Sequence, residues 1–199
     1  MHFMTGYFAY PESGIQLVLQ QVVRRRGNLS ILFAYMGDEG AREWTEWFYE
    51  RVLPACRRRK KECCVDHVSE LFANALACHP GAGDFCAFFA VGEECFYAWK
   101  GDGSIHLFNN CFQKFHDKTL TYLSDELQIK RASLEPGVEV LLGELSFFDG
   151  LEKAGLSRRL EAFHPHEEKQ VQGRLRDICE EIQAEGGKSH SAICIVVRG

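Results

Sequence analysis

The sequence predicts an α+β fold with sheet packed against helices, and three observations predict it. Short apolar runs recur between glycine-containing turns, most clearly over residues 85–108, FCAFFAVGEECFYAWKGDGSIHLF. That stretch reads as two buried strands, a Gly-Glu-Glu turn, a tight Gly101-Asp102-Gly103 turn and a third strand. Apolar residues at helical three-and-four spacing fill residues 41–53 and 62–78, with strands on both sides of this helix pair. A further amphipathic stretch over 167–185 precedes a last apolar run. Together they favour one α+β domain over residues 1–199.

The elements follow in order. Residues 15–23 are rich in Val, Leu and Ile and read as a strand, and Arg24, Arg25, Arg26, Gly27 and Asn28 read as a turn. Residues 29–36, LSILFAYM, form a nearly continuous apolar run, as expected of a strand buried on both faces. Gly37-Asp38-Glu39-Gly40 breaks it, and Trp44, Trp47, Phe48, Arg51 and Val52 then take up helical spacing. Pro54 and the basic run 57–61 separate this helix from a second, whose stripe is Cys64, Val68, Leu71, Phe72, Ala75 and Leu76. Breakers at 79–83 end that helix. Residues 109–133 are mixed and polar and carry no clear pattern. A Leu134-Glu135-Pro136-Gly137 turn leads to a short buried strand over 138–142, and residues 151–163 read as a short helix. The helix over 167–185 presents Val171, Leu175, Ile178 and Ile182; Gly186-Gly187 stops it, and AICIVV over 192–197 is a last buried strand.

Composition narrows the function. The 199 residues carry 46% hydrophobic and 26% charged residues, as in an ordinary globular protein. A net charge of −5 gives no footprint for general nucleic-acid binding. No apolar run approaches a membrane span, and the N-terminus lacks the basic start and apolar core of a signal peptide, so a cytoplasmic protein is expected. The nine cysteines include no C-x-x-C pair and are expected to be reduced thiols, mostly buried. There is no nucleotide-binding P-loop and no Gly-x-Ser-x-Gly elbow. Gly101-Asp102-Gly103-Ser104 lacks the spaced ligands of a calcium loop and reads as a hairpin turn. The basic run 57–61 reads as the solvated end of a helix.

Five segments in order resemble the metal-dependent protein phosphatases of type 2C, the PPM family. The buried strand, glycine turn and two helices over 32–78 resemble the family segment that carries an Asp-Gly-x-Gly-Gly turn. Gly83-Asp84-Phe85-Cys86-Ala87 resembles its Gly-x-Thr-Ala strand. Residues 98–107, AWKGDGSIHL, resemble its Ala-x-x-Gly-Asp-Ser-Arg-x-Tyr-Leu hairpin. Residues 134–142, LEPGVEVLL, resemble the Leu-x-Pro-Gly-Asp strand before the second catalytic Asp-Gly, and residues 187–197 resemble the C-terminal Asp-Asn strand. The resemblance implies a β-sandwich flanked by helices, a four-layer α/β/β/α arrangement. It also implies a pair of hard cations bridging a water that attacks phosphoserine or phosphothreonine. Two divalent ions about 3.5–4 Å apart need several surrounding carboxylates.

This chain departs from the family at those carboxylates. At the first position the strand ends in Gly37 and the Asp-Gly order is missing; Asp38 and Glu39, one or two positions on, are the candidate metal ligands. The alternative reading makes both charges at a helix N-terminus, favoured by the dipole. At the second position stand Leu145 and Ser146, with Glu144 and Asp149 nearby out of register; a leucine cannot coordinate a hard cation. At the third stand His190 and Ser191, and a neutral imidazole suits magnesium poorly. Arg24, Arg25 and Arg26 are the candidates for the family's phosphate-binding arginine. Their alternative reading is a solvated cluster.

Three altered positions predict the phosphatase fold with impaired or lost metal chemistry, needing no cofactor and acting by binding a protein partner, phosphorylated or not. The competing readings are an active manganese- or magnesium-dependent phosphatase with displaced ligands, and an interaction module unrelated to phosphorylation. Nucleic acid and membrane are not expected partners.

Overall fold

The structure, a computed structural model, describes residues 1–24, 29–58, 61–78, 83–109, 116–119, 124–155, 165–186, 188 and 190–199. Ten strands among these form two antiparallel five-stranded sheets. The first has the order β1 (His2–Phe8), β10 (Ala192–Arg198), β9 (Val138–Glu144), β6 (Gly103–Asn109), β7 (His116–Thr119). The second has the order β2 (Gln16–Arg24), β3 (Leu29–Gly37), β4 (Phe85–Val91), β5 (Glu94–Gly101), β8 (Ser124–Ser133). Helices α1 (Ala41–Trp47), α2 (Leu53–Arg58) and α3 (Lys61–Cys78) belong to the side of the second sheet; α4 (Leu145–Lys153) and α5 (Glu168–Ala184) belong to that of the first. This is the expected four-layer sandwich. No described helix is long and apolar enough to cross a membrane.

The apolar runs are continuous because each central strand is covered on both faces. In β3, Ile31, Phe33 and Tyr35 face the helices, while Leu32, Ala34 and Met36 face the other sheet. In β4, Phe85, Ala87, Phe89 and Val91 take the helix side, and Cys86, Phe88 and Ala90 the inter-sheet side. In β10, Ile193, Ile195 and Val197 point between the sheets, and Ala192, Cys194 and Val196 point under α5. Burying one such side chain stabilises the fold by roughly 1.5–3 kcal/mol. Phe33 is the hub of the helix-side core: the rings of Trp44 and Trp47 centre 5.4 Å away, and those of Phe48, Phe72 and Phe89 6.2–6.4 Å away.

Several elements differ from the sequence expectation. The first helix does not end at Pro54. A π-helical turn, Phe48–Val52, links α1 to α2, and Pro54 sits in the first turn of α2, where a missing N–H costs little. The N-terminal region completes the sandwich, because β1 pairs along its full length with β10. The polar stretch 109–133 holds β7 and β8. β8 is an edge strand exposed along much of its length, so it lacks the apolar signature. The helix expected over 151–163 begins at Leu145 and so holds Asp149 in its interior; residues 156–164 lie outside the described residues. Arg24 extends β2 opposite Leu29 rather than joining a turn. At β1, Gly6 allows α5 to approach: a Cβ there would lie 2.9 Å from the backbone of Gln172.

Candidate functional site

The register brings the ends of several strands together. Gly37 at the end of β3 lies opposite Phe85 at the start of β4, which lies opposite Lys100 near the end of β5. In the other sheet Gly103 at the start of β6 lies opposite Glu144, and Ala192 at the start of β10 opposite Gly143. The one-residue turn at Asp102 carries the chain from one sheet to the other. Asp38, Asp84, Asp102 and Glu144 therefore stand along one end of the sandwich.

A hydrogen-bonded chain links them. The Asp38 N–H donates to the Asp84 carbonyl at 3.2 Å, and the Asp84 N–H donates back to Asp38 Oδ2 at 3.2 Å. The Asp102 N–H donates to Asp84 Oδ2 at 3.3 Å, and the Leu145 N–H donates to the Asp102 carbonyl at 3.1 Å. Gly101 adopts a φ of 68°, and a Cβ there would collide with the Asp84 carboxylate, so glycine is what lets that carboxylate reach the next turn. Partial burial, and then the negative charges of Glu144, Asp84 and Asp38, push the Asp102 carboxyl above its ordinary value.

The other positions fall as follows. Glu39 is exposed, and its backbone carbonyl accepts the Tyr35 hydroxyl. Leu145 is 42% exposed at the start of α4, so an apolar side chain faces solvent beside the carboxylates. Ser146 is exposed one residue on. His190 is buried, with its Nδ1 3.5 Å from Glu144 Oε2, a separation without hydrogen-bond geometry. Ser191 is fully buried and structural: its Oγ accepts the Tyr10 N–H at 3.0 Å and lies 3.0 Å from Ser13 Oγ. Gln16, at the other end of β2 from Arg24, pairs with Gly37; Arg24 is thus a strand length, on the order of 26 Å, from the carboxylates, and the structure does not bring it to them. Arg25 and Arg26 lie outside the described residues.

Asp84 and Asp102 were not among the sequence candidates. Their signal was present, since each follows a glycine at a strand boundary, but only the pairing of β3 with β4 and of β6 with β9 sets them beside Asp38 and Glu144. Next to this end, between α4 and the C-terminal end of α5, lies a cleft of about 310 Å³ lined in part by Ser146, Asp149, Lys153, Ile182, Lys188 and His190.

The donor set does not fit a dinuclear hard-cation centre as arranged. Among the described residues no three His, Cys, Asp or Glu side chains converge as metal ligands. Asp38 and Asp84 each accept a backbone N–H with one oxygen, and Leu145 and His190, beside them, are not hard-cation ligands.

No protein-family model matches the chain, and no curated protein matches it. Solved structures do. A bacterial serine phosphatase variant superposes with a TM-score of 0.66 over 100% of both chains at 10% identity. The S. agalactiae serine/threonine phosphatase superposes with a TM-score of 0.59 at 10% identity, covering 98% of this chain and 100% of its own. The catalytic domain of the serine/threonine phosphatase PstP, in complex with two manganese ions, superposes with a TM-score of 0.53 at 11% identity, covering 99% of this chain and 100% of its own. At such identities the likeness is one of architecture, and it covers essentially the whole chain: this protein has the fold of the bacterial type 2C serine/threonine phosphatases.

Proposed function

We propose that the chain is a catalytically impaired relative of the type 2C phosphatases that acts in phosphorylation signalling by binding a protein partner. The observation that carries this reading is the use of the carboxylates. Asp38 and Asp84 serve as acceptors for backbone N–H groups that tie β4 and the Asp102 turn in place. Each bond uses only part of a carboxylate's acceptor capacity, but a dinuclear centre also needs several such oxygens aimed at a common point, and among the described residues no three ligating side chains converge. Leu145 and His190 at the remaining positions support the same reading. A phosphorylated side chain meets unfavourable charge at the carboxylates, and the neighbouring cleft sets Lys153 and Lys188 beside Asp149 and Glu185, so any phosphate contact there is to individual lysines rather than to a cationic pocket. The buried free cysteines Cys56, Cys86, Cys95, Cys179 and Cys194 support a reducing, cytoplasmic setting. Sheets that draw strands from both ends of the chain support one domain over residues 1–199.

A second reading, an active manganese- or magnesium-dependent phosphatase with displaced ligands, draws on the alignment of Asp38, Asp84, Asp102 and Glu144 at one end. One experiment separates the two: hydrolysis of p-nitrophenyl phosphate and a phosphoserine peptide with and without manganese, alongside calorimetric titration of manganese into the protein. The proposal expects no metal-dependent turnover. Turnover that Asp38→Ala and Asp102→Asn abolish, with two manganese ions bound per chain, establishes the second reading instead. A partner captured equally in phosphorylated and dephosphorylated form removes phosphorylation from the account.

A further inference from the structure

Edge strands expose unpaired backbone groups, and proteins ordinarily protect them with charges, proline, bulges or cover. Three of the four sheet edges here differ from the fourth in this respect or in length. β7 spans only four residues. β8 carries Asp125, Glu126, Lys130 and Arg131. β1 is clasped by α5: the Tyr7 N–H donates to Gln172 Oε1 at 2.9 Å, and Gln172 Nε2 donates to the Tyr7 carbonyl.

Among the described residues β2 shows none of these devices before its last residue, Arg24. Residues 15–23 read IQLVLQQVV, with no charge, proline or glycine. Among the described residues β2 pairs only with β3, in unbroken register from Gln16 to Arg24. Its glutamine side chains are already engaged: Gln16 Oε1 accepts the Ala41 N–H, Gln20 Oε1 accepts the Tyr49 hydroxyl, and Gln21 Nε2 donates to the Phe3 carbonyl. Large apolar side chains border the same edge. Tyr7, Val23 and Tyr49 are 50%, 56% and 53% exposed, and Tyr7 and Leu19 share an open groove whose far wall is formed by Glu168, Lys169 and Arg176 of α5.

We propose that β2 is a self-association edge, with a second copy of this chain adding its own β2 antiparallel to the first. A two-fold axis normal to the sheet preserves its faces, so residues of equal parity must lie opposite one another. An axis through Leu19 meets that requirement. It sets Leu19 against Leu19, Val18 against Gln20, Leu17 against Gln21, Gln16 against Val22, and Ile15 against Val23. The choice of a second copy rests on charge. The paired segment has none, and the first like charges, the two Arg24 residues, fall at opposite ends of the ribbon, each opposite Gly14. Two chains of net charge −5 repel overall, so an uncharged strip is where they can approach most closely. The five-stranded sheet becomes ten-stranded, and the aromatic residues extend the apolar contact beyond the strands.

The test is the mass of the full chain by sedimentation equilibrium, for the wild type, Leu19→Lys, Leu19→Glu and an equimolar mixture of the two variants. The wild type is expected to be dimeric at high micromolar concentration. Each single variant places like charges on the axis and should weaken the dimer by at least about tenfold, while the mixture places opposite charges there and recovers it. A monomeric wild type, a dimer indifferent to both variants, or a mixture that stays monomeric overturns the proposal. Should the variants fail to fold, hydrogen exchange of the native chain decides: β2 amides must gain protection as protein concentration rises, and concentration-independent exchange overturns it.

Discussion

The Cys194 thiol donates to Glu139 Oε1 at 3.1 Å beneath α5, making a polar contact inside an otherwise apolar layer. Glu139 is 6% exposed; burial raises its carboxyl to about 7, while the hydrogen bond from Cys194 and the positive charge of Arg174 pull the other way. His106 lies on the neighbouring strand, opposite Leu141.

This arrangement predicts a pH dependence. The folded state holds the Glu139 proton more tightly than the unfolded chain, whose carboxyl titrates near 4.5. The proton's contribution is therefore fully present at low pH and is lost as pH rises towards about 7, leaving a penalty on the order of 3 kcal/mol above it. Glu139→Gln should remove that dependence. Urea unfolding of both proteins at pH 5 and pH 8 checks it: the variant must gain on the wild type at the higher pH, and an equal difference at both would contradict the assignment.

Gly101→Ala should destabilise the protein by roughly 2 kcal/mol or more, from the positive φ and the collision with Asp84. Gly14, with a φ of 73° and nothing within 4 Å of where a Cβ would sit, is the internal control, because its alanine variant meets only the backbone cost of about 1 kcal/mol. Adding Asp84→Ala to Gly101→Ala should restore part of the loss, measured as a coupling energy in a double-mutant cycle.

Asp102→Asn should stabilise the protein near neutral pH. Burial and three neighbouring carboxylates disfavour its charge, so its folded-state proton affinity is raised and its ionisation costs stability above the unfolded value. Thermal melts at pH 7 and at pH 3 check the direction, with the gain confined to the higher pH. A variant less stable at pH 7 would mean that the carboxylates attract rather than repel a charge there.

Phe33→Ala should cost about 3–5 kcal/mol, the usual range for deleting a fully buried aromatic ring. The loss should disturb the Trp44 and Trp47 environments together, since both rings pack on Phe33. Tryptophan fluorescence of the folded variant reads this directly, and an unshifted spectrum would show that the two indoles are held by other neighbours.

Much of the sandwich was legible in the chain. The runs that became β3, β4 and β10 are apolar at successive positions because helices cover one face and the opposite sheet the other. The α5 stripe of Val171, Leu175, Ile178 and Ile182 repeats because only one face of that helix is buried. β8 was illegible because an edge strand can keep charges on exposed positions and still form its ladder. The π turn at Phe48–Val52 was illegible too, since its residues look like any helix and only the hydrogen-bond pattern differs.

The site divides along the same line. Local sequence showed leucine and histidine at two positions where the family resemblance leads one to expect acidic residues, and that Asp38 follows rather than ends its strand. Tertiary structure alone decided that Asp84 and Asp102 join Asp38 and Glu144. Antiparallel registers bring residues from distant parts of the chain to one end of the sandwich, and no short-range pattern encodes that register. The same pairing decided that Asp38 and Asp84 bind backbone amides, because a carboxylate held beside an N–H left unpaired at a strand end is stabilised by accepting it.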